Sequence, residues 1–134
     1  MAIEWKDIKW FTPDNFNDKY SVNKGQDMNM EVVGRLESLR DWIKCPIQVT
    51  AGYDSQGHSD MSYHYKGLAV DFIICTLMNL REQWAYIRTA GFEGIGVYPH
   101  WKYKIYSGGW HCDMRDIPQL WRQMDDGSYK YFLP

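Results

Sequence analysis

Ser62-Tyr63-His64-Tyr65-Lys66-Gly67-Leu68-Ala69-Val70-Asp71-Phe72-Ile73-Ile74 runs from a polar turn into an apolar segment of strand length. The polar residues 54–63 that precede it, with Gly57 and Asp60 among them, read as a loop. Leu68 to Ile74 reads as a buried strand, and Asp71 interrupts it. A carboxylate in an apolar strand is costly unless a partner or a metal compensates its charge. His64 stands seven residues earlier, where the loop enters the strand, so the two side chains can meet on one side of a turn-then-strand unit. Spacing alone leaves two readings open: a metal-ligand pair, or a structural His with Asp71 bound to a cation or to the loop.

Working outward, the apolar residues Val32, Val33, Leu36, Leu39, Trp42 and Ile43 recur at helical spacing, which predicts a helix over 28–43 with Asp27 as N-cap. Pro46 closes that region, and Ile47-Gln48-Val49-Thr50 alternates as a strand does. A second helix is expected over 77–89, with Leu80, Trp84 and Ile87 on one face, Thr76 as its cap and Gly91 at its stop. Short strands follow over 94–98, 102–106 and 110–114, with Tyr98-Pro99-His100-Trp101 read as a turn. Asp126-Gly127 closes a last hairpin ending in Tyr129-Lys130-Tyr131-Phe132. Residues 1–29 form an irregular lead-in with a short helix after Thr12. Together these elements predict one α+β domain over 1–134, a small, mostly antiparallel sheet flanked by two main helices.

Composition narrows the function classes. With 15 Lys and Arg against 17 Asp and Glu, the net charge is −2, and no basic run is present. Nucleic acid is therefore not the expected partner, because neutralising phosphates takes clustered cations. No apolar stretch approaches a membrane span, so membrane insertion is not expected either. Met1-Ala2-Ile3-Glu4-Trp5-Lys6-Asp7 lacks the pattern of a signal peptide, so synthesis in the cytoplasm is expected. Cys45, Cys75 and Cys112 are odd in number and form no CxxC, which argues against a disulfide framework. The 7 Trp, 10 Tyr and 5 Phe serve a core of few, large side chains or line a cleft. Trp101, Tyr103 and Trp110 are open to either use.

Histidines number four: His58, His64, His100 and His111. His111 lies in the strand candidate Trp110-His111-Cys112-Asp113, where alternation puts His111 and Asp113 on one face and Cys112 on the other. Two imidazoles and a carboxylate with an open fourth position make a catalytic zinc site, and zinc lowers the pKa of water held there.

The wider context resembles a known family. Ser62 to Asp71 is similar to the S-x-H-x-x-G-x-A-x-D segment of zinc D-alanyl-D-alanine carboxypeptidases and related phage endolysins. Pro46-Ile47-Gln48-Val49-Thr50-Ala51-Gly52-Tyr53 resembles that family's P-I-x-I-T-S-G-Y-R strand, and Gly91-Phe92-Glu93-Gly94-Ile95-Gly96-Val97-Tyr98 its G-F-x-G-I-G-x-Y. His111-Cys112-Asp113-Met114-Arg115 resembles H-x-D-x-R, and Trp121 fits the tryptophan that follows. The blocks keep family order from Val32 to about Trp121. The resemblance implies the fold shared with the hedgehog signalling domain and a zinc peptidase of bacterial cell-wall peptides, with His64, Asp71 and His111 as ligands. It makes Ser62 a neighbour that fixes the loop beside substrate.

Two positions depart from the pattern. The family's Arg after G-Y, which pairs with the substrate carboxylate, is Asp54 here, which favours cleavage inside a peptide stem over carboxypeptidase action. Arg115 is the substitute cation or a structural ion pair. The Glu that several relatives carry three residues before the last zinc His is Gly108, which leaves Asp113 as candidate general base or as the carboxylate that orients a ligand His. His58, in the polar loop, contacts substrate or is simply exposed. The leading expectation is a monomeric, zinc-dependent peptidoglycan endopeptidase or carboxypeptidase of endolysin type, acting on the wall after release in a phage or prophage setting. The alternative is a non-catalytic, zinc-containing module that binds cell wall or forms part of a virion.

Overall fold

The computed structural model describes residues 2–17, 24–54, 58–59 and 61–132. Part of the polar loop over 54–63, including Gly57 and Asp60, lies outside the described residues.

Two helices form where apolar spacing demands them. Helix α1 spans Met30–Ile43 and buries Val32, Val33, Leu36, Leu39 and Ile43. Its N-cap is Asn29, not Asp27: the Asn29 side chain accepts from the amides of Glu31 and Val32, satisfying two otherwise orphaned donors. The helix stops at Lys44, whose φ of 58° is left-handed, and Pro46 prevents resumption. Helix α2 is shorter than its periodicity suggests, Leu80–Ile87. Asn79 rather than Thr76 caps it, in a reciprocal capping box with Glu82. The buried Gln83 ties this helix to the sheet by accepting from the Trp110 indole at 2.8 Å.

The strands are β1 (Ile47–Ala51), β2 (Ala69–Ile74), β3 (Gly94–Tyr103), β4 (Tyr106–Asp113), β5 (Gln119–Gln123) and β6 (Tyr129–Phe132). They form one six-stranded sheet in the order β1-β2-β4-β3-β5-β6. The two strands expected over 94–98 and 102–106 are one long β3 and the start of β4. Pro99 sits where the β3–β4 register shifts between Tyr98 and Lys102, so the ladder tolerates its missing N–H without the expected turn. Among the described residues, four strand pairings are antiparallel and one, β3 with β5, is parallel. The sheet is therefore mixed: the expected antiparallel pairings predominate, and the parallel pairing of β3 with β5 is the departure from the expectation. Its cause is the short passage from Asp113 to Gln119, which crosses the end of β3 and sets Gln119 beside Gly94.

Strand alternation divides the sheet into two faces. Val70, Phe72, Ile74, Ile95, Trp110 and Cys112 join the α1 residues in the main apolar core. Ala69, Asp71, His111, Asp113 and Trp121 occupy the alternate positions. The lead-in adds three short 3-10 turns, Trp5–Asp7, Pro13–Phe16 and Lys24–Asp27, and plugs Phe11 and Phe16 into the same core.

Candidate metal centre

Register builds the centre. Asp71 on β2 is paired across the ladder with His111 on β4, His111 with Gly96 on β3, and Gly96 with Trp121 on β5. One row across the sheet thus carries a carboxylate, an imidazole, a gap and an indole. His64 arrives from outside the sheet, in the 3-10 turn Tyr63–Lys66. Ser62 caps that turn by accepting from the His64 amide, and Gly67 ends it at φ 68°. A Cβ at position 67 would also strike the Tyr53 ring, so glycine is required there twice over.

The His64, Asp71 and His111 ligand atoms lie within 4.8 Å of one another. His64 Nε2 is 3.0 Å and His111 Nδ1 2.8 Å from the same oxygen, Asp71 Oδ1. His64 Nδ1 faces the Gly52 carbonyl at 2.9 Å, and that oxygen only accepts, so Nδ1 carries the proton. In neutral His64 the Nε2 lone pair then points at a carboxylate oxygen. Two acceptors at that distance repel unless a proton or a cation lies between them. Two imidazole nitrogens and one carboxylate oxygen, with both His orientations set from behind, are a donor set that suits zinc.

His111 is oriented by Asp113, whose Oδ2 lies 2.6 Å from its Nε2. Asp113 is fully buried and also receives Arg115, Nε at 2.7 Å from Oδ1 and Nη2 on Oδ2. Gly94 makes this possible, since a Cβ there would come within 2.0 Å of Asp113 Oδ1 and 2.4 Å of Arg115 Nε. Burial opposes ionisation of Asp71, yet the facing imidazoles of His111 and His64 outweigh it and hold the carboxyl well below its usual range. Burial likewise opposes the charge on His111, but Asp113 and Asp71 override it and push its pKa up to about 9. Asp113 is lowered in the same way, its burial outweighed by Arg115 and then His111.

The other expected residues sort by position. His58 and Ser62 line the same cleft of about 350 Å³ as the three ligand candidates, together with Ser59, Tyr98, Trp101 and Tyr129. The His58 ring stacks on His64 at 4.0 Å, and its Nε2 pairs with Asp54 Oδ2 at 2.5 Å. Asp54, His58 and His64 form a second grouping of possible ligands that shares His64 with the first. Arg115 is engaged by Asp113 and Gln119 and lies over the rings of Tyr63 and Trp121. Gly108 has φ 87°, and a Cβ there would meet Leu80 of α2, so this position is directed at the helix side of the sheet. His100 pairs with Asp125 at the surface, Trp110 belongs to the core, and Cys112 is buried in it.

Sequence reasoning passed over Tyr98 and Tyr129 as cleft residues. The alternation of Gly94, Gly96 and Tyr98 along one strand face was the available signal for the first, whereas Tyr129 depends on how β6 docks.

A family model described as Peptidase M15 matches residues 9–105, a span that includes His64 and Asp71. His111 lies beyond the matched residues and reaches Asp71 through the β2–β4 register. No curated protein matches the chain. The chain belongs to the Peptidase M15 family, that of the zinc D-alanyl-D-alanine carboxypeptidase-like peptidases.

Proposed function

We propose that this protein is a zinc peptidase that cleaves peptide bonds within peptidoglycan stem peptides, as a monomeric endolysin-type enzyme. His64 Nε2, Asp71 and His111 Nδ1 are its metal ligands. The observation that carries the reading is the facing of both imidazole nitrogens on one Asp71 oxygen at 2.8 and 3.0 Å. Held by these three residues, zinc would supply an activated water and would polarise the scissile carbonyl.

The chain's own residues do the rest. The Gly52 carbonyl keeps His64 in the tautomer that presents Nε2. Asp113 accepts from His111 Nε2 and so presents Nδ1; with both its oxygens engaged by His111 and Arg115, it is a positioning residue rather than the general base. Arg115 neutralises Asp113 and is not the cation that receives a substrate carboxylate. Asp54 stands where carboxypeptidases carry that cation, so an internal peptide bond suits the cleft better than a C-terminal one. The His58–Asp54 pair and Ser62 border the substrate.

Incubation of the zinc-loaded protein with purified muropeptides, followed by mass spectrometry, tests this. New stem-peptide fragments that disappear with chelator are expected. Binding to cell wall without any fragment would instead favour a non-catalytic module, the reading that Asp54 and Gly108 motivate.

A further inference from the structure

We infer that Tyr98 is a catalytic residue of this site, its phenolic O–H donating to the carbonyl oxygen of the scissile peptide bond as that oxygen gains negative charge. The inference rests on the peptidase reading above.

Four observations lead to it. Tyr98 lines the same cleft as His64, Asp71 and His111. Its ring is clamped, stacked on Trp101 at 4.1 Å and edge-on to Tyr129 at 6.2 Å. Its oxygen is also held, because the Trp121 indole donates to it at 3.0 Å. Trp121 in turn is seated over His111, with ring centroids 5.3 Å apart, in the gap left by Gly96.

The direction of the Trp121 bond decides the chemistry. An indole N–H only donates, so Tyr98 must use a lone pair to receive it and cannot return its proton there. The Tyr129 hydroxyl bears on Tyr98 as well. The role requires Tyr129 to be the donor of that pair, which leaves the Tyr98 O–H for the cleft on an oxygen that Trp121 fixes from behind. Burial keeps the phenol neutral, its pKa pushed up to about 12, so it holds its proton at neutral pH. A pre-aligned donor needs no reorganisation when charge develops, which is the requirement for stabilising an oxyanion.

Tyr98→Phe keeps the ring and its stacking and removes only the hydroxyl. The expected result is a fall in kcat on the order of 100-fold. KM and zinc affinity, the latter by competition with a chromophoric chelator, stay within about threefold. Binding of a phosphinate analogue of the substrate peptide, whose tetrahedral oxygens mimic the charged carbonyl, weakens by a factor similar to that in kcat. Trp121→Phe, which removes the aligning N–H together with the five-membered part of the indole, lowers kcat in the same direction by a smaller factor. Retained kcat in Tyr98→Phe, a larger loss in Tyr129→Phe, or an equal loss of zinc affinity would overturn the assignment. No hydrolysis by the unsubstituted, zinc-loaded protein would overturn the peptidase reading and this inference together, whereas activity that survives in Tyr98→Phe overturns only the role of Tyr98.

Discussion

Replacing Asp113 by Asn tests the positioning of His111 most directly. The carboxylate is wholly buried and accepts three charge-assisted hydrogen bonds, two from Arg115 and one from His111 Nε2. An amide keeps one acceptor oxygen and turns an NH2 toward a group that can only donate. It also leaves Arg115 without its counter-charge. Breaking a buried pair from one side costs about 3–5 kcal/mol, and the retained oxygen puts Asn near the lower figure. At roughly 2.1 cal/mol/K per residue, a chain of this length unfolds with about 0.28 kcal/mol/K, so about 3 kcal/mol lowers Tm by roughly 10 °C. Losing the group that orients a ligand His weakens metal binding by about 10- to 100-fold. The assay is a calorimetric melt with and without zinc, paired with chelator competition for zinc affinity. If Asp113→Asn bound zinc within twofold of the parent and melted within about 3 °C of it, the account of Asp113 as the buried anchor of His111 would be wrong.

Three further outcomes follow from the same geometry. Gly96→Ala places a Cβ 2.3 Å from Trp121 Nε1, so the indole must move and release Tyr98; a loss of about 1–3 kcal/mol is expected, with a changed near-ultraviolet circular dichroism spectrum as the check. Leu36→Ala empties a fully buried position on the helix side and should cost about 2–5 kcal/mol in urea unfolding, while zinc affinity, set on the opposite face, holds. In the chelated protein His111 is raised from 6.5 to about 9, so its contribution is complete below about pH 6.5 and is lost as pH rises through 9. Asp71 and Asp113 are lowered, so theirs is present above the ordinary carboxylate range and is lost toward acid. Urea midpoints across pH should thus fall on both sides of a mildly acidic maximum. Zinc, which takes the neutral imidazole, should remove the alkaline fall.

Much of this could be read along the chain because it is local. The helix faces of α1 and α2, the buried strand around Asp71 and the hairpin turn at Gly127 follow from periodicity and turn chemistry within a few residues. The caps were less legible, since Asp27, Asn29, Thr76 and Asn79 all have capping side chains and only backbone geometry selects among them. The anomaly of one aspartate inside an apolar run marked the site, and the alternation in Trp110-His111-Cys112-Asp113 correctly paired His111 with Asp113 while sending Cys112 to the core.

By itself, then, the sequence determined both helices, most of the strands, the family and which side chains were chemically out of place, because each depends on neighbours along the chain. Only the tertiary structure decided that β5 runs parallel to β3, that Asp113 is consumed by Arg115, and that Trp121 reaches across Gly96 to hold Tyr98. The physical reason is that hydrogen-bond register between strands distant in sequence sets those contacts, and a strand's own residues carry its faces but not the identity or direction of its partner.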